Sequence, residues 1–312
     1  MQPGQRTIPT PQTNFMKMKQ SGQQLLTVLA LSLTLWSCSK NDDNNEPGGE
    51  SESVLMTRTT MEAEAEGEVL YDDVFNNVMG TPGAGIGGTG VFQVNTENSP
   101  GTLQTTCFTL TAENINPADS FPLRVTLDFG ASGCTGKDGR VRKGKIITVY
   151  TNWLFISGAV AETSFDGYYV NDTKVEGAHR IQNNSSSDKL TFETRVTNGK
   201  LTRPSGDYTQ WNRTRVISQT DGWGTPWVAG DDVFTIVGNG EGTVVRGDKT
   251  ASWTSTNLEP LVKKFNCKWI VQGKQKFQRN GGPEGVLDFG NGDCDNKAGL
   301  TVNGNTIEIT LK

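Results

Sequence analysis

The chain carries one histidine, His179, in 312 residues. That scarcity excludes histidine-rich metal centres and leaves a single imidazole to activate any serine or cysteine nucleophile. His179 sits in Glu176-Gly177-Ala178-His179-Arg180 with no nucleophile elbow beside it, so it reads as a structural residue. The most apolar stretch, Leu25 to Leu35, has eleven residues, well short of the roughly 20 that span a bilayer as a helix. No two cysteines are near neighbours, which excludes the closely spaced thiolate pairs of a zinc site. No strand–helix alternation is visible, which argues against a parallel sheet with crossover helices. A concentrated basic footprint is also missing. Of 29 basic and 34 acidic residues, positions 1–38 hold three basic and no acidic ones, and positions 39–73 hold two basic and eleven acidic. The remaining 24 basic and 23 acidic residues leave a neutral body, and nucleic acid is not expected as a partner.

What is present begins at the N-terminus. Lys17 and Lys19 precede Leu25–Leu35, and a small residue, Ser37, follows just before Cys38; this is the order of a secretory signal peptide, with Met16 or Met18 as the expected start of translation. Leu35-Trp36-Ser37-Cys38 resembles the lipobox of bacterial lipoproteins. The resemblance implies cleavage before Cys38, diacylglycerol on its sulfur and acylation, palmitate among the chains, at its amino group. Ser39-Lys40-Asn41-Asp42-Asp43-Asn44-Asn45-Glu46 resembles the short acidic tag that sends some Gram-negative lipoproteins to the cell surface. Together they imply an outer-membrane, lipid-anchored, surface-exposed protein, with residues 39–60 as an acidic flexible tether.

Residues 61–98 read as a short helix and a glycine-rich linker. Val69, Leu70, Val74, Phe75, Val78 and Met79 share one helical face, and Gly80 with Thr81-Pro82-Gly83 ends the run. A single helix with one apolar stripe is expected to lie on the body as a lid. Gly83 to Gly90 formally contains G-x-G-x-x-G, but a helix precedes it and Val91-Phe92-Gln93-Val94 follows with strand character, the reverse of a dinucleotide loop.

Residues 99–312 read as all-β. Strand candidates are 124–129, 145–151, 190–196, 208–217, 233–237 and 306–311, and in the last Ile307, Ile309 and Leu311 alternate with Thr306, Glu308 and Thr310. Asp138-Gly139, Asp166-Gly167, Asn198-Gly199, Asp221-Gly222 and Asn303-Gly304 have the composition of hairpin turns. A shift of 160 superimposes Cys107 on Cys267, Leu127-Asp128-Phe129-Gly130 on Leu287-Asp288-Phe289-Gly290, Cys134 on Cys294, Lys137 on Lys297, Gly139 on Gly299 and Gly144 on Gly304. That is an internal duplication, with units at about 102–151 and 262–312. The predicted fold is an antiparallel β-sandwich-like domain built on it, with one short N-terminal helix. Four cysteines beyond Cys38 allow three disulfide connectivities. Copying of a self-contained unit favours one bridge in each, Cys107–Cys134 and Cys267–Cys294.

Leu127-Asp128-Phe129-Gly130 with Gly133-Cys134, Asp138-Gly139-Arg140, Arg142, Gly144 and Ile146 resembles a group of function-unknown Gram-negative surface or periplasmic lipoproteins. The second copy departs from it at Ala298, Leu300 and Val302. The resemblance implies a β-rich lipoprotein and no activity.

Catalytic constellations are thin. Asp231-Asp232 are strand neighbours whose side chains would diverge, so they mark a turn before Val233 rather than flank a glycosidic bond. Asp128 and Asp288 recur in the repeated word, and Asn291, Asp293, Asp295 and Asn296 add oxygen ligands, yet EF-hand spacing is missing and Asx–Gly pairs are turn formers. No metal or cofactor is therefore expected. Arg140-Val141-Arg142-Lys143-Gly144-Lys145 reads as a solvated edge. Trp211, Trp223, Trp227 and Trp253 crowd the central segment, and Trp223 and Trp227 share a loop with turn residues, the arrangement of an aromatic platform for sugar rings. The expected function is non-enzymatic binding or structure at the cell envelope, with carbohydrate or another envelope protein as partner. The alternative is a glycan hydrolase with an unidentified carboxylate pair.

Overall fold

A computed structural model describes residues 51–79, 102–104, 107–136, 139–222 and 229–311. One helix, α1 (Glu52–Met79), precedes fifteen strands: β1 (Thr102–Gln104), β2 (Thr109–Asn114), β3 (Leu123–Asp128), β4 (Cys134–Thr135), β5 (Val141–Tyr150), β6 (Val160–Val170), β7 (Thr173–Asn183), β8 (Thr191–Thr202), β9 (Tyr208–Asp221), β10 (Val233–Arg246), β11 (Lys249–Lys264), β12 (Ile270–Arg279), β13 (Glu284–Asn291), β14 (Lys297–Val302) and β15 (Asn305–Thr310). Apart from β4, a two-residue strand on β5, they form one antiparallel meander in chain order from β1 to β15. The all-β antiparallel body with one N-terminal helix is as the sequence predicts. Its layers arise differently from those of a sandwich: one sheet bends around α1, and among the described residues no second sheet faces it.

Three consecutive helix residues show the wrapping. The Tyr71 hydroxyl donates to the Glu176 carbonyl on β7 at 2.8 Å, Asp72 pairs with Lys263 on β11 at 2.8 Å, and Asp73 meets Arg142 on β5 and Tyr168 on β6. Successive residues rise about 1.5 Å and turn about 100°, so at one level of the helix strands lie on three sides. The helix is thus enclosed, not laid on as a lid. It also begins at Glu52 instead of the expected Met61, inside the stretch read as tether. Ser51 caps it, accepting from the Val54 N–H at 3.4 Å, and Thr57, Thr59 and Thr60 return their hydroxyls to carbonyls four residues back at 2.8–3.0 Å. Local sequence there is polar and β-branched. Tertiary contact fixes the helix, since Arg279 bonds both Ser53 and Thr57 and the buried Thr57 and Thr60 face the sheet.

The helix interior is acidic and its surroundings are basic. Glu64, Glu68 and Asp73 are each at most 3% exposed. Arg213 on β9 pairs with Glu64 and, at 2.6 Å, with Glu68; Arg215 also pairs with Glu68, to which Gln275 on β12 donates at 3.2 Å. Arg140 and Arg142 converge on Asp73. Part of the acidity of 39–73 is thus internal counter-charge on the helix, and of the run 140–145 read as a solvated edge Arg140 and Arg142 are core. Apolar packing fills the rest: the Trp211 and Tyr71 rings meet edge to face at 5.0 Å, and a side chain at Gly67 would touch Trp211.

Bending is built from glycine bulges. Asp166-Gly167 and Asn198-Gly199 lie inside β6 and β8, not between strands, and mark breaks in register. Gly144 (φ 80°) breaks the β5–β6 register where a Cβ would collide with the Gly167 carbonyl; Gly177 (φ 110°) does so between β7 and β8, where a Cβ would lie 2.6 Å from the Asn198 oxygen. Further breaks at Gly238 and Gly273 continue the crease across the sheet. Asn303-Gly304, by contrast, is the predicted tight hairpin, with both residues at positive φ.

The duplication is legible in three dimensions up to the second cysteine. Cys107–Cys134 and Cys267–Cys294 are bridged within their units, with Cα separations of 5.3 and 5.7 Å. In each word Leu and Phe point into the core, and Asp accepts the N–H of its Gly: Asp128 from Gly130 at 2.9 Å, Asp288 from Gly290 at 3.0 Å. Beyond that the copies part. Asp128 stands opposite Lys145 on β5, whereas Asp288 stands opposite Gly299 on β14, the counterpart of Gly139; the counterpart of Lys145, Asn305, begins the following strand.

Gly177→Ala is expected to lower unfolding free energy by about 2–4 kcal/mol, the positive-φ cost plus a backbone collision. Gly206→Ala, at φ 89° with open space around it, should lose only about 1–2 kcal/mol. Urea midpoints of the two variants check the difference.

Candidate functional site

In an antiparallel meander alternate connections fall at opposite ends. One end collects 115–122, 151–159, 184–190, 222–232, 265–269 and 292–296; the other has the short turns 171–172, 203–207, 247–248, 280–283 and 303–304, together with 129–140. The helix N-terminus lies at the short-turn end, where Glu52 pairs with Lys249, and its C-terminus at the long-loop end, where the Tyr150 hydroxyl donates to the Val78 carbonyl at 2.9 Å.

The long-loop end displays aromatic side chains on a stiff support. In 151–159, Leu154 plugs the core at 1% exposure, while Phe155 next to it stands 62% exposed, with Ile156 also out in solvent. Fully buried Asn183 donates to the Leu154 carbonyl at 2.8 Å, the Gly158 N–H reaches the Asn183 carbonyl at 2.7 Å, and Ser157 ties to Ser185 at 2.7 Å. The Trp153 and Phe155 ring planes lie 18° from parallel with centroids 6.3 Å apart, and Phe121 braces Trp153 edge to face at 5.2 Å. Exposed Ile115, opposite Pro122, extends the patch, and across this end Lys268 sits 4.6 Å over the Trp269 ring. A stiff loop that holds large apolar groups in water is the signature of a contact surface.

Of the residues singled out by sequence, Trp223, Trp227 and the lipidation candidate Cys38 lie outside the described residues. Trp211 and Trp253 are core residues, each 2% exposed. Asp128 and Asp288 cap separate turns on strands nine antiparallel steps apart, hence at opposite ends, so they cannot act as one carboxylate pair. Among the described residues no cluster of three His, Cys, Asp or Glu side chains could hold a metal, and no helix is long and apolar enough to cross a membrane. Asp231 closes a short 3-10 turn before β10, as expected. Asp232 accepts from Gln219 at 2.7 Å, and burial, then the neighbouring Asp231, raises its carboxyl above the usual range. Sequence reading missed Trp153 and Phe155, although Asn152 before and Ser157-Gly158 after Trp153-Leu154-Phe155-Ile156 mark a loop rather than a strand.

Comparison with protein-family models, with curated proteins and with solved structures finds no match for this chain.

His179, buried against the Tyr71 ring at 5.9 Å, has its pKa pushed down from 6.5 to about 4 by burial alone. The folded state therefore holds it neutral and the unfolded state takes up the proton first. Its contribution is full above pH 6.5 and is lost as pH falls towards 4, by up to about 3 kcal/mol. Denaturation midpoints of wild type and His179→Asn at pH 7 and pH 4.5 are expected to converge on acidification as the wild type loses this term.

Proposed function

We propose that this is a lipid-anchored, non-enzymatic protein of the bacterial cell envelope, surface-exposed on the outer membrane, whose β body binds neutral glycan through its long-loop end. The observation that carries the reading is the braced Trp153–Phe155 platform, because flat aromatic faces stack on the C–H faces of sugar rings and neutral polar neighbours supply hydrogen bonds. Asn152, Ser157 and Ser185 provide such a rim. The lipobox-like Leu35-Trp36-Ser37-Cys38 supports the anchor, and Ser51, the first described residue, lies at the end opposite the platform. Trp223 and Trp227, with Asp221-Gly222 and Gly224-Thr225-Pro226 around them in sequence, have the composition of a sugar-stacking loop and fit the same role.

The second reading, a glycan hydrolase, draws support from Asp232, a carboxyl with a raised pKa at the platform end. Affinity electrophoresis of residues 39–312 through gels containing soluble neutral polysaccharides tests both. Retardation that weakens about tenfold in Phe155→Ala, with a further loss in Trp223→Ala/Trp227→Ala, is the expected result. No retardation in any gel would contradict it. Release of reducing ends that disappears in Asp232→Asn would establish the hydrolase instead.

A further inference from the structure

A hollow of about 570 Å³ lies on the outer wall of the sheet across β9 to β12, near the short-turn end. Register sets its lining. Asn212, Glu241, Thr254 and Gln278 stand opposite one another on four successive strands. One residue pair nearer the end, Gln210, Thr243 and Ser252 form a second row, and Asn280 joins it through its N–H on the Ser252 carbonyl at 2.9 Å. Such rows repeat about 4.8 Å across strands and about 6.8 Å along them. Beneath them Gly242 is flanked on β9 and β11 by Trp211 and Trp253, whose rings are buried, so the floor is backbone on a packed core.

This wall differs in chemistry from the rest of the exterior. Elsewhere outward positions carry cross-strand ion pairs, such as Arg180 with Glu162, Arg124 with Glu113 and Lys276 with Glu284. Here seven of the eight outward positions in the two rows are amides and hydroxyls, and no lysine or arginine lines the hollow. Glu241 makes no ion pair among the described residues, and the side chains of Gln210, Thr254 and Asn280 make no hydrogen bond there. Free donors and acceptors, fixed on fully paired strands and accompanied by one carboxylate able to accept two hydroxyls, match a polyhydroxylated ligand without charge. The volume is in the range of small-molecule sites.

We infer that this hollow is a second binding site, for a neutral oligosaccharide, distinct from the aromatic platform and sharing with it only the ligand class proposed above. The two sites lie on one compact unit, and the hollow is about ten residues, roughly 33 Å along β9, from the long-loop end, so one molecule can hold two chains or two stretches of one chain. Glu241 would disfavour acidic glycans.

The test is a titration of isotope-labelled residues 39–312 with neutral hexasaccharides of glucose and of mannose, and with an oligogalacturonate, followed by amide chemical shifts. Shifts at Asn212, Glu241, Thr254 and Gln278 with a neutral probe are expected. They should survive in Phe155→Ala and weaken at least about tenfold in Gln210→Ala/Thr254→Ala, and Glu241→Gln should narrow the preference over the acidic probe. Shifts confined to 151–159 and 222–232 would overturn the second site and leave the platform standing. Shifts at neither place would overturn both.

Discussion

The structure depends on placing three carboxylates inside a protein and neutralising them there. Glu64, Glu68 and Asp73 sit on the buried part of α1, and their partners Arg213, Arg215, Arg140 and Arg142 come from two separate regions of the sheet. Leaving one such charge without its partner costs about 3–5 kcal/mol. The sheet therefore has one acceptable relation to the helix, with β5 at Asp73 and β9 at Glu64 and Glu68. Apolar burial supplies the bulk of stability, but it is non-directional; the ion pairs and the Tyr71, Tyr150 and Tyr168 hydroxyls fix register between helix and wall.

Wrapping a helix with one continuous sheet imposes curvature, which regular pleated strands do not provide. Gly144 and Gly177, with their carbonyl neighbours on the adjoining strands, supply it at the cost of local pairing. The same meander sorts the connections. Five short turns gather with the longer 129–140 where the helix begins, and the cross-braced loop 151–159 lies where it ends.

Much of this is legible in the sequence, for identifiable reasons. Strand content, the Asn303-Gly304 hairpin and one bridge in each repeat follow from period-two patterning, turn chemistry and duplication, all local or copied signals. Helix over Met61–Met79 is legible because Val69, Leu70, Val74 and Val78 recur at helical spacing. Its beginning is not: Glu52 to Thr60 is helical through contacts with Arg279, which is 222 residues from Thr57. The arginines at 140 and 142 look solvated because their counter-charge, Asp73, lies 67 and 69 residues away. Asp166-Gly167 and Asn198-Gly199 have the same composition as a hairpin turn, and only the neighbouring strand reveals a bulge. The word at 127–130 identifies a repeat without showing what it does. Its physics emerges in the fold: two core side chains, a carboxylate that caps a glycine N–H, and the glycine that turns the chain.

Amide hydrogen–deuterium exchange across Glu52–Met79 tests the enclosed helix most directly. If the sheet encloses it, its central amides, from Ala63 to Val74, open only with the sheet, and their exchange free energies should equal those of β7, β9 and β11 and fall with them in urea. Exchange of the helix at a markedly lower free energy, with the strands still protected, would show that it opens on its own and would contradict the account.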